Sequence, residues 1–142
     1  MKRNPWIWAA IVVLLLTTAF HTSSFFVANV PQNDTEKQLH ELVTTYKKDL
    51  GLGFDPSFFD LFTALSSCLS FLCLLSGLTL ILLIRKRASA AIIKGVVGIN
   101  LLIYSAGLIV MLLFTFIMPI ACFALITLFL LLTWLTIREQ QV

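Results

Sequence analysis

Residues 95–137 read GVVGINLLIYSAGLIVMLLFTFIMPIACFALITLFLLLTWLTI, forty-three positions without one Asp, Glu, Lys or Arg. At about 1.5 Å per residue a single helix of that length would run roughly 65 Å, about twice the hydrocarbon thickness of a bilayer, so the stretch has to reverse and cross twice. Its one clear punctuation mark is Pro119. The reading therefore places a tight turn at residues 113–118 and helices over about 90–112 and 119–137.

Two further charge-free stretches lie upstream, between Arg3 and Asp34 and between Asp60 and Arg85. They predict helices over about 5–27 and 56–84, the first opened by Pro5 with Trp6 and Trp8 at headgroup level, the second longer than a bilayer requires. With 59% hydrophobic residues and a mean hydropathy of +0.98, much of the apolar surface must face lipid. The expected fold is all-α: an integral-membrane four-helix bundle forming a single transmembrane domain over residues 1–142. Lys2 and Arg3 before an apolar run, with Thr17-Thr18-Ala19 beyond it, also have the layout of a secretory signal. Continuation of the run through Phe25, Phe26 and Val27 favours an uncleaved first helix.

The formal charge of +3 conceals a sorting by side. Lys2, Arg3, Arg85, Lys86, Arg87, Lys94, Arg138 and Glu139 sum to +6, whereas residues 29–58 with Asp60 sum to −3. Short loops rich in Lys and Arg stay cytoplasmic, so both termini and the 85–94 loop are expected inside and residues 29–58 outside. The same sorting argues against a nucleic-acid partner, because the positive charge is split among separate short loops.

Within the external segment, residues 29–58, Asn33 is suited to cap a helix and Glu36 stands three positions on. Leu39, Leu42, Val43, Tyr46 and Leu50 then recur at helical spacing, predicting a short extracytoplasmic amphipathic helix over about 34–50, ended by Gly51 or Gly53. Its apolar face is expected to pack on the bundle or on lipid, or to meet a partner, with His40 on the solvated side. Asp55 and Pro56 read as cap and first residue of the next span.

Small residues mark the helix-packing edges. Ser66, Ser70, Cys73 and Gly77 share one face of the second span, and Ala91, Gly95 and Gly98 form a second close-approach edge on the third. Cys68, Cys73 and Cys122 all fall inside spans without a CxxC pattern, so they read as small apolar-like residues, and no metal site is expected. Membrane lipid is one expected partner. A homo-oligomer or a membrane-protein partner, met through the small-residue stripes or the external helix, is the other.

Chemistry in the spans has few carriers. His21 and Asp60 are the ionisable residues toward the outer side and the candidates for a catalytic role. His21, Asn100 and Tyr104 are the candidates for binding a cofactor whose identity the sequence leaves unknown; Asn100 must be paired if it sits in lipid. Convergence of His21, Asp60 and a Tyr or Asn would point to an enzyme or a cofactor- or lipid-binding pocket in the outer leaflet. A His21 bonded locally would point to a structural role, and a wet path along Ser66 and Ser70 to a small oligomeric transporter.

Phe20-His21-Thr22, with Phe58-Phe59-Asp60-Leu61-Phe62 after the external segment, resembles a family of small four-helix bacterial inner-membrane proteins whose first helix ends in a Gly-His-Thr-like motif. Phe20 stands where that family has glycine. The resemblance implies the four-helix fold and a bacterial inner-membrane location, draws attention to His21, and implies no reaction. The leading expectation is a multi-pass membrane protein of structural, accessory or protein-interaction type.

Overall fold

The structure is a computed structural model that describes residues 4–27, 30–49, 51 and 53–137. Lys2, Arg3 and Arg138 of the charge argument, with Asn29 and Leu50, fall outside the described residues. The described residues form five α-helices and no strand: α1 (Pro5–Ser24), α2 (Asp34–Thr45), α3 (Phe58–Arg85), α4 (Ala90–Phe114) and α5 (Ile117–Thr136). All but α2 are long and apolar enough to cross a membrane. The chain divides into two compact units, Met1–Thr18 with Leu72–Val142, and Ala19–Phe71.

The first unit holds most of α1, the second half of α3, and the α4–α5 hairpin. Its buried side chains recur at helical spacing: Ile7, Ala10, Ile11 and Leu14 on α1, Ile93, Val97 and Tyr104 on α4, and Phe123, Ile126, Leu130 and Thr133 on α5. The opposite faces are equally apolar, with Leu102, Leu113 and Leu135 all exposed. A helix apolar all round needs a non-aqueous surrounding, which suits a membrane protein. Backbone groups then have no water to bond, which is why the crossings are helical.

Close approaches are set by particular side chains. A Cβ on Gly77 would stand 3.2 Å from Leu15 Cδ2, so the missing side chain is what lets α3 meet α1. Gly98 is covered by Trp134, whose ring also receives the Lys94 ammonium 5.3 Å from its centroid. Gly107 faces Phe123, with only 2.5 Å between a built Cβ and Cε1. Among the described residues Gly95 has nothing within 4 Å and Ala91 is exposed, so along the expected Ala91–Gly95–Gly98 edge they make a close contact at Gly98 only. The reason is the helical register: Ile93 and Val97 point inward, which turns positions 91 and 95 away.

Helix ends depart from the sequence reading for local reasons. α1 stops at Ser24, before the expected residue 27, because the Ser23 and Ser24 hydroxyls donate to the carbonyls of Phe20 and His21, and the chain tightens into i→i−3 bonds at Phe25, Phe26 and Val27. α3 begins at Phe58, after the expected residue 56: Ser57 Oγ accepts from Asp60 N at 3.1 Å while Asp60 Oδ2 accepts from Ser57 N at 2.9 Å. This reciprocal pair is a capping box, so Ser57, and not Asp55, caps the helix.

The turn between α4 and α5 contains only Thr115 and Phe116. α4 runs to Phe114, beyond the expected 112, and Thr115 N–H and Oγ1–H both donate to the Met111 carbonyl. α5 opens at Ile117, before the expected 119, which puts Pro119 inside its first turn, where a helix needs no N–H donor. Between α3 and α4, Ala88 N–H donates to Leu83 O and Arg87 N–H to Ile84 O, a Schellman motif whose left-handed residue is Arg87 at φ 52°. Glycine is the usual occupant of that position.

The second unit contains the end of α1, α2 and the start of α3. Asn33 Oδ1 accepts from Glu36 N at 2.8 Å, and the Glu36 carboxylate returns to Gln32 N and Asn33 Nδ2, so the expected cap on α2 forms. α2 ends at Thr45 and not near residue 50, as the Thr44 and Thr45 hydroxyls take the carbonyls of His40 and Glu41. Gly51 and Gly53, at φ 79° and 78°, shape the following turn instead of ending the helix. That turn returns the chain so that Lys47 bridges Ser57, and Lys48 N–H donates to Pro56 O at 3.1 Å.

Candidate functional site

Six of the candidate residues carry polar groups whose partners decide what they can do. His21 sits in the last turn of α1, half-buried, and its Nδ1 lies 3.0 Å from Ser70 Oγ on α3. The Thr22 hydroxyl donates to the same Ser70 oxygen at 3.1 Å. A hydroxyl has one proton and two lone pairs, so with Thr22 donating to Ser70, the Ser70 proton is available for Nδ1. The order Thr22→Ser70→His21 satisfies all three groups and assigns the remaining ring proton to Nε2. Phe25 closes one side of the ring, edge-on at 5.2 Å and 85°.

Helical spacing explains why these residues meet. His21 and Thr22 follow Leu14 and Thr18 along one side of α1, and Ser70 is a small buried residue on the α3 face that continues as Cys73 and Gly77. Ser66, one turn earlier, is half-buried. A serine beside an imidazole is the first element of a nucleophile–base pair. The third element is elsewhere: Asp60 lies ten residues before Ser70 on α3, about 15 Å along the axis, and its carboxylate accepts from the backbone N–H and the hydroxyl of Ser57. The chemistry this cluster supports is hydrogen bonding and proton exchange through a neutral imidazole.

Asn100 and Tyr104, the other proposed ligand holders, each hydrogen-bond within the chain. Asn100 Nδ2 donates to the Val96 carbonyl of its own helix at 2.9 Å, so the pairing shown for it is local to α4. Tyr104 is fully buried, donates to Ser76 Oγ at 3.2 Å, and tilts against Phe123 at 5.6 Å. His40 is half-buried and not on the solvated side; with Val43 and Thr44 it forms the inward face of α2. Among the described residues no three His, Cys, Asp or Glu side chains are grouped as metal ligands would be.

Three contributors were not identified from sequence. Ser76 had no periodic signal beyond being small, Ser57 was masked by the more familiar Asp-Pro cap beside it, and Thr22 entered only as part of a resemblance. A buried tyrosine needs a partner, and Ser76 is the available hydroxyl on the facing helix. No family model, curated protein or solved structure matches the chain. The resemblance therefore rests on Phe20-His21-Thr22 and Phe58-Phe59-Asp60-Leu61-Phe62 alone.

Proposed function

We propose that the chain is a four-pass integral membrane protein of structural or accessory type, acting by association with a second copy or another membrane protein. Both termini and the 85–94 loop lie inside, and α2 lies outside, in a bacterial inner membrane. Charge sorting supports this orientation, since the basic residues collect in the short loops assigned to the cytoplasm.

One observation carries the association reading. Gly77, Gly98 and Gly107 are each covered by a side chain of the same chain, whereas Gly95 has no described residue against it and stands beside exposed Ala91, one turn away. Small residues at i and i+4 on a lipid-facing helix let a second backbone approach closely enough for dispersion and Cα–H contacts. Native mass spectrometry in mild detergent tests it: an oligomer or a co-purifying membrane protein is expected, and Gly95→Leu is expected to dissociate it. A monomer with nothing bound, unaffected by Gly95→Leu, would refute the reading.

A second reading is favoured by one atom. His21 Nε2 carries no hydrogen bond to the described residues while Nδ1 is held by Ser70. With its proton on Nε2, an imidazole oriented through Nδ1 offers an N–H donor to a lipid headgroup or a quinone oxygen, whereas ligating a haem iron would need the other tautomer, with Nδ1–H donating to Ser70. A visible spectrum and lipid analysis of the same preparation distinguish this from the first reading.

A further inference from the structure

We infer that α2 is an interfacial helix, lying in the headgroup layer with Leu39 and Leu42 against the acyl-chain boundary. This rests on the reading of α1 and α3 as membrane spans, and it holds on whichever side their connection lies.

The helix is tied to the spans at both ends. Nine residues join Ser24 of α1 to Asp34 of α2. At its other end the Lys47–Ser57 bridge and the Lys48–Pro56 hydrogen bond fix the chain leaving α2 to the residue that caps α3. Tyr46, immediately after α2, stacks on Phe58, the first residue of α3, at 5.9 Å and 18°. α2 therefore ends at the height where a span enters the membrane.

Its unpartnered face continues the surface that enters lipid. No α2 residue is fully buried, and the inward side is His40, Val43 and Thr44. Leu39 and Leu42 point elsewhere, 59% and 60% exposed, on the side that Tyr46 extends. Phe58, Phe59 and Phe62, on the opening turns of α3, are exposed as well. A tyrosine at the mouth of a span belongs at the headgroup level, as Tyr46 does on this reading, and the Tyr46–Phe58 stack makes the two apolar surfaces adjoin. Opposite Leu39 and Leu42 on the helix wheel are Lys37 and Glu41, so one side is greasy and the other charged, the pattern of a helix lying in an interface. Twelve residues with two exposed leucines bind lipid weakly when free; attachment at both ends raises the effective concentration of the surface they meet.

The test replaces Leu39, Leu42, Lys37 or Leu102, one at a time in the full chain, with an environment-sensitive fluorescent amino acid. Each variant is reconstituted in phosphatidylethanolamine–phosphatidylglycerol vesicles carrying nitroxide lipids labelled near the headgroup or deep in the chain. Leu39 and Leu42 are expected to be blue-shifted and quenched by the shallow nitroxide, Lys37 by aqueous iodide, and Leu102 of α4 by the deep nitroxide. Iodide quenching at both leucines, or shielding of both from iodide and lipid alike, would overturn the inference while leaving the spans intact; shielding would identify a protein as the cover. Absence of deep quenching at Leu102 would overturn the spanning reading, and this inference with it.

Discussion

The Tyr104 hydroxyl donates to Ser76 Oγ at 3.2 Å, a side-chain bond between α4 and α3 in which both residues are buried. Interhelical bonds of this kind contribute about 0.6 kcal/mol on average in a membrane bundle, because the separated helices find other partners. Tyr104→Phe and Ser76→Ala are each expected to lower resistance to unfolding by about that amount, and the double variant by less than the two together. Unfolding in mixed micelles of rising dodecyl sulfate content gives the cycle.

Gly107 and Gly95 lie on the same helix and should respond oppositely to one methyl group. At Gly107 the new Cβ meets the Phe123 ring, itself only 3% exposed, so Gly107→Ala is expected to destabilise by about 1–3 kcal/mol. At Gly95 there is open space, and Gly95→Ala is expected to gain up to about 1 kcal/mol of helix propensity in monomeric detergent. The same unfolding assay reads both; equal effects would refute the packing account.

The helix cap at residue 57 gives a sharper test of where α3 begins. Ser57→Ala is expected to cost about 1 kcal/mol, and Asp55→Ala close to nothing, since Asp55 has no capping bond. Differential scanning of the detergent-solubilised variants separates them. A larger loss at Asp55 would restore the Asp-Pro start.

Arg87 occupies a left-handed position where a side chain is strained. Arg87→Gly is expected to stabilise the α3 end by about 1 kcal/mol, and Arg87→Val to destabilise it. The same Arg87→Gly change removes one of the basic residues between α3 and α4, so a topology reporter fused after α3 should show a weaker preference for the cytoplasm, checked against Arg87→Lys as the charge-conserving control.

In the His21 cluster, Ser70→Ala removes the shared partner of two side chains, so it should cost more than Thr22→Val, which removes one donor. Both are read by unfolding in the same mixed micelles. Equal losses would mean that His21 and Ser70 do not interact.

How much of this was legible depends on the physical length scale involved. The four long helices follow from charge-free length, and the cap at Asn33 from a local pattern that closes within four residues. The ends of α1 and α2 fall short where serine and threonine hydroxyls take terminal carbonyls, and the start of α3 moves to the Ser57 cap; neither effect has a periodic signature. Partner choice was least accessible: helical spacing put Ser70, Cys73 and Gly77 on one face but did not say that Ser70 would meet His21, or that Tyr104 would find Ser76. Leu39 and Leu42 were assigned to the apolar face of α2, yet only the structure shows that His40, Val43 and Thr44 are its part-buried side and that those leucines are left exposed.

The link between α4 and α5 has a consequence for biogenesis. With only Thr115 and Phe116 separating two helices, and with no charge between Lys94 and Arg138, neither helix carries an orientation signal at the closed end of the hairpin. On the proposed orientation the pair would enter the bilayer as one hairpin, its direction set by the cations that flank it in the sequence, Lys94 and Arg138. In that orientation, a lysine inserted beside Phe116 would compete with Lys94 for the cytoplasm, making this two-residue turn the place where one added charge would most easily trap a half-inserted chain.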